Sequence, residues 1–78
     1  MTPEARPDVT VDCTGRPCPV PVIELARAVA AAEPGTVVEV VSDDPAARHD
    51  VPAWARMRGK EYLGEVPAGG ATAYRVRA

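Results

Sequence analysis

At 78 residues, with 46% apolar positions, no Phe, one Trp and two Tyr, the chain is sized for one small domain. A core built mostly from Ala and Val is thin, which argues for two layers and against a deep cavity for a bulky cofactor. Nine Lys and Arg stand against eleven Asp and Glu, a formal net charge of −2, and the basic residues are scattered, so direct nucleic-acid binding is not expected.

Residues 1–7 carry two prolines and no periodicity, and read as a disordered tail ahead of a domain over 8–78. Val9, Val11 and Cys13 alternate with Thr10 and Asp12, the period of a half-buried strand. Gly15 and Pro17 then turn the chain. From Pro19 the period changes: Val22, Leu25, Ala26 and Val29 recur at helical spacing, with Glu24, Arg27 and Ala31 on the other side. This predicts a helix over 19–33, stopped by Pro34-Gly35.

The β-branched run TVVEVVS at 36–42 predicts a strand, with Val37, Glu39 and Val41 on its wetter face. Asp43-Asp44-Pro45 and Asp50-Val51-Pro52 both read as helix starts, their acids as caps. Pro52 would clash with the Arg48 carbonyl in a continuous helix, so a short turn followed by a helix over 51–58 is expected, with Val51 and Trp54 inward and Gly59 at its C′ position. Residues 60–66 and 71–77 predict two strands joined by a longer loop, Pro67 to Gly70. The order β-α-β-α-β-β makes the first two strands parallel through a right-handed crossover. The expected fold is an α/β (α+β) two-layer sandwich, a four-stranded mixed sheet with both helices on one face.

No apolar run is long enough to span a membrane, and the segment MTPEARP lacks an export pattern, so a cytoplasmic protein is expected. In that reducing compartment two cysteines are read as catalytic or free rather than as a structural disulfide. Cys18 falls at the loop-to-helix junction, where unpaired N–H groups and the helix dipole favour a thiolate. Such positions lower a cysteine pKa from ~8.5 to about 3.5–7.5, and a pKa near ~7 raises the thiolate at neutral pH from roughly 3% to about half. Pro19 has a backbone suited to a helix start. Pro19 and Pro21 carry no N–H, leaving Val20 and Val22 as donors near the sulfur, and Arg16 adds positive charge. Cys13 shares strand parity with Val9 and Val11, which fits a buried apolar residue, with a resolving thiol for Cys18 as the alternative. His49 reads as a solvated loop residue. Cys13, Cys18 and His49 are too few and wrongly spaced for a structural zinc site, so neither metal nor cofactor is expected.

Taken together, Asp12-Cys13-Thr14-Gly15, Cys18-Pro19-Val20-Pro21, Asp43-Asp44-Pro45, Asp50-Val51-Pro52-Ala53-Trp54 and Gly59 resemble the TusA (SirA-like) sulfur-carrier family over residues 9–77. Arg16 stands where that family usually has leucine, and Lys60 where histidine or asparagine is common. The resemblance implies the same two-layer fold. It also implies that Cys18 accepts sulfane sulfur as a persulfide, with Pro19, Val20 and Pro21 of its motif in support; Arg16 is counted as a further support for its charge alone. The donor would be a protein of the cysteine desulfurase or rhodanese type, and the acceptor a second protein. Two other readings stay open: a small thiol-disulfide redox protein using Cys13 and Cys18, and a non-catalytic binding module using an open sheet face with Val37 and Val41.

Overall fold

The computed structural model describes residues 6–78, so the first five residues of the expected tail lie outside the described residues. The elements run β1 (Val9–Asp12), α1 (Val20–Ala31), β2 (Val37–Ser42), α2 (Ala47–Met57), β3 (Glu61–Ala68) and β4 (Ala71–Arg77), the expected order. They form a single four-stranded sheet in the order β1-β2-β4-β3. β1 pairs parallel with β2, Val9 opposite Val38 and Val11 opposite Val40. β4 runs antiparallel to both β2 and β3.

Alternation along β2 sends Val38 and Val40 to the helix side, where Val76 and Tyr74 lie opposite them on β4. Leu25 and Val29 from α1 and Val51, Trp54 and Ala55 from α2 close onto these residues, so both helices bury the same sheet face. Leu25, Val38, Val40, Val51 and Val76 are all fully buried. Each contributes about 1.5–3 kcal/mol through the apolar area it removes from water. The thin aliphatic core holds because it is continuous across both helices.

Four details differ from expectation. The first helix begins at Val20 rather than Pro19, which is its N-cap; Pro21 occupies the first turn and is buried. A proline is tolerated there because the first-turn N–H groups have no helical partner.

The second helix is continuous from Ala47 through Pro52 to Met57. Its first turn is tight: Ala47, Arg48 and His49 donate to the carbonyls three residues back, at Asp44, Pro45 and Ala46. One buried face of Ala47, Val51, Trp54 and Ala55 offsets the missing Pro52 N–H. The expected Gly59 terminus is present. Gly59 donates to Arg56 O at 3.2 Å and Lys60 to Ala55 O at 2.8 Å, with Gly59 at φ +69°.

The third difference is the hairpin, which turns on two residues, Gly69 and Gly70, because β3 continues through Pro67 to Ala68. β3 is an edge strand, where a proline removes no needed ladder bond. Finally, the expected open face of β2 is largely covered: Val37 is 4% exposed, Glu39 8%, and Val41 half-buried. β2 is interior to the sheet, and Arg75 on β4 reaches Glu39 at 2.8 Å while Thr10 on β1 donates to its other oxygen. Val37 and Val41 therefore provide no free apolar stripe.

Candidate functional site

The loop between β1 and α1 is held by short polar contacts. Asp12 accepts from both the backbone N–H and the hydroxyl of Thr14, at 3.0 and 2.8 Å, which turns the chain just past the strand. Gly15 follows at φ +79°, a left-handed conformation that suits glycine. Its N–H donates to Asp43, at 3.1 Å to Oδ1. Arg16 N–H donates to Cys13 O and Val20 N–H to Pro17 O, at 3.1 and 3.0 Å. The Val20 donor expected to face the sulfur is thus used inside the loop.

Cys18 is exposed on this loop, while Cys13 is 1% exposed and packed in the core; both thiols are free. The backbone N–H of Cys18 donates to Asp44 Oδ2 at 2.6 Å. Its thiol donates to Asp50 Oδ2 at 2.9 Å. Asp44 also accepts from Ala46 N–H through its other oxygen at 2.9 Å, so one carboxylate ties the thiol loop to the entry of α2. The preceding acid, Asp43, ties the same entry to Gly15. The acids read as helix caps therefore clasp the thiol loop.

The electrostatics at Cys18 are opposite to expectation. Its pKa is raised, first by the hydrogen bond from the thiol to Asp50, then by partial desolvation, then by the negative charges of Asp50 and Asp44. The helix-start effect that would lower it is outweighed by two carboxylates delivered from elsewhere in the fold. Cys13 is also raised, chiefly by burial, with Glu24 adding to the rise and Arg16 opposing it. Asp44 is held below the ordinary carboxylate value by the N–H groups of Ala46 and Cys18, and Asp12 by the N–H and hydroxyl of Thr14.

Two shallow clefts flank the thiol loop. One, of about 280 Å³, is lined by Pro19, Val22, Asp50, Ala53, Trp54 and Met57, with Met57 80% exposed at its rim. The other, of about 390 Å³, lies between Gly15, Arg16, Pro17 and the Asp43-Asp44-Pro45 segment. Arg16 belongs to this second cleft, and Asp50 to the first. The tertiary fold thus gathers Cys18, Pro19 and Asp50 on one side and turns Arg16 to the other. His49, expected in a loop, is exposed on α2.

Asp50 was visible in the sequence only as a helix-start acid. Its pairing with Cys18 spans 32 positions, and no local spacing signals it. The available hint was an excess of acids, Asp43, Asp44 and Asp50, around a single helix start, more than capping requires. Pro21, expected to matter through its missing N–H and its place in the motif, is also buried.

The profile of the family described as Sulfurtransferase TusA matches residues 9–78. The sulfur carrier protein TusA of Pseudomonas entomophila is 37% identical over 70 residues, covering 90% of this chain and 88% of that protein. A putative sulfur carrier protein of Archaeoglobus fulgidus is 41% identical over 53 residues, 68% of this chain and 69% of its own length. Among solved structures, a SirA-like protein from Desulfitobacterium hafniense superposes with a TM-score of 0.73 at 33% identity, covering 90% of this chain and 96% of that one.

Proposed function

As the chain belongs to the TusA family, we propose that it works in sulfur transfer by carrying sulfane sulfur as a persulfide on Cys18 and passing it between partner proteins. The observation that carries this reading is the contrast between the two thiols: Cys18 is exposed on a braced loop and Cys13 is sealed in the core. A donor protein of the cysteine desulfurase or rhodanese type presents a persulfide. The Cys18 sulfur attacks its outer sulfur, one S–S bond breaks as another forms, and the donor keeps a thiol. The acceptor's sulfur repeats the exchange in the opposite sense. The oxidation level of the transferred sulfur does not change, so the cycle needs no separate oxidant or reductant.

Pro19, Val20 and Pro21 frame the attacking sulfur, and Arg16 supports a partner's anionic edge from the neighbouring cleft. The handover surface is the 14–22 loop with the adjoining helix ends. A carrier must leave each partner, so the contact belongs to the small class below about 1,200 Å². Among the described residues no helix is long and apolar enough to cross a membrane, and we propose the cytoplasm as the working compartment. The redox alternative would require Cys13 to leave its buried site to reach Cys18.

The test is intact-mass measurement after incubation with a cysteine desulfurase and cysteine, or with thiosulfate and a rhodanese. A gain of one sulfur atom, mapped to Cys18 and transferable to a second thiol protein, is expected. Equal loading of a Cys18→Ser variant would sink the reading.

A further inference from the structure

Asp50 lies in the first turn of α2, yet its carboxylate makes no capping hydrogen bond to that helix. The neighbouring acid, Asp44, meets the backbone N–H groups of Ala46 and Cys18. Asp50 reaches out of its own helix instead, and its Oδ2 accepts the thiol proton of Cys18 at 2.9 Å. The two acids divide the work: Asp44 fixes the loop backbone and Asp50 meets the sulfur. Asp50 also lines the cleft beside Pro19 and Val22, next to the loop that carries Cys18.

We propose that Asp50 is a catalytic proton carrier for Cys18, taking up the thiol proton as the sulfur attacks and returning it to the sulfur that leaves. This deepens the carrier reading above and rests on it. In the loading step the donor enters as R–S–S⁻. The S–H bond of Cys18 gives its proton to Asp50 Oδ2 as the sulfur attacks the outer sulfur of the donor. The S–S bond between the donor's inner and outer sulfurs breaks, and the R–S⁻ that leaves takes the proton from Asp50. The products are Cys18–S–S⁻ and R–SH, with charge, protons and electrons conserved. On delivery the acceptor thiol's proton follows the reverse route and ends on the Cys18 sulfur as it departs.

The groups around the thiol favour this assignment. Asp50 comes from α2 and Asp44 from the β2–α2 connection; both are acids that disfavour a free thiolate. α1 contributes Val22 and its N-cap Pro19 to the cleft, neither titratable, while Arg16 lines the other cleft and His49 is exposed on α2. Asp50 is thus the side chain in hydrogen-bond contact with the sulfur.

The experiment uses the full chain and glutathione persulfide as a small donor, so that partner docking does not enter. Wild type, Asp50→Asn and Asp50→Glu are compared in two assays: sulfur loading on Cys18, and iodoacetamide alkylation of Cys18 against pH, both mapped by peptide mass. Positioned proton carriers are worth about a hundredfold or more in rate, and at least tenfold slower loading is expected for Asp50→Asn. Its alkylation at neutral pH should instead become faster, because the charge that restrains the thiolate is gone. Asp50→Glu should recover part of the loading. Slower loading together with slower or unchanged alkylation would overturn the proposal, as would loading at the wild-type rate. Loading that survives Cys18→Ser would instead overturn the carrier reading, a separable result.

Discussion

The backbone amide of Cys18 and the carboxylate of Asp44 meet at 2.6 Å across 26 positions of sequence. This bond joins the loop that presents the thiol to the segment that starts α2, and the Asp43 contact to Gly15 runs parallel to it. The sulfur is thereby braced without being buried. Packing cannot supply such support at an exposed loop, and these polar contacts take its place.

The brace makes stability depend on acid. Asp44 and Asp12 both have carboxyls held below their ordinary value by hydrogen bonds to the anionic form. Lowered folded-state values mean that the unfolded chain takes up protons first, so this contribution is intact above the ordinary carboxylate range, near pH 4, and fades as pH falls through it. Urea midpoints should be level from neutral pH to about 5 and decline below about 4. Asp44→Asn should lower the neutral midpoint and flatten the acid decline; an unchanged profile would remove Asp44 from the brace.

The two thiols should separate cleanly in labelling. Cys18 is expected to react in the folded protein, but with a pH midpoint above that of a cysteine in a flexible peptide, because Asp50 and Asp44 oppose its ionisation. Cys13 should stay unlabelled until denaturant is added, since it is 1% exposed. Peptide mass mapping of alkylation against pH reads both. Early labelling of Cys13 would show that the loop and β1 open readily.

Gly59→Ala should destabilise the fold by about 1–2 kcal/mol, the cost of a left-handed backbone for a residue with a Cβ. Nothing lies within 4 Å of where that Cβ would sit, so the loss is conformational rather than steric. Chemical denaturation measures it, and sulfur loading should be unaffected. A change below about 0.3 kcal/mol would mean the helix end readjusts.

Pro52→Ala should stabilise. The substitution restores an N–H that can meet the Arg48 carbonyl and removes a ring from inside α2. An interior proline costs about 3 kcal/mol, and the greater freedom of the unfolded chain returns about 0.4–1 of that, while the tight first turn limits the recovered bond. A net gain of about 1–2 kcal/mol in the urea extrapolation is expected. A loss would show that the proline ring packs productively on the Asp50 side of the helix.

Strand and helix periods were legible because they are local. Val9, Val11 and Cys13 alternate, Leu25 and Val29 repeat at helical spacing, and Gly59 follows its helix, so composition and order led to the two-layer fold and to Cys18 at a helix start. Burial of Cys13 followed from the same parity. The continuity of α2 through Pro52 was not legible: local sterics argue against it, and it holds because Val51, Trp54 and Ala55 gain more by packing on the sheet than the proline costs. Coverage of Val37 and Val41 likewise depends on β2 being interior, which the order β1-β2-β4-β3 decides. The ionisation of Cys18 is the sharpest case. Position at a helix start is a local property and favours a thiolate; Asp44 and Asp50 lie 26 and 32 residues away and reverse it. Coulomb and hydrogen-bond energies depend on distance in space rather than along the chain, so the place of Cys18 at a helix start was set by the sequence, and the direction in which its pKa moves by the tertiary fold.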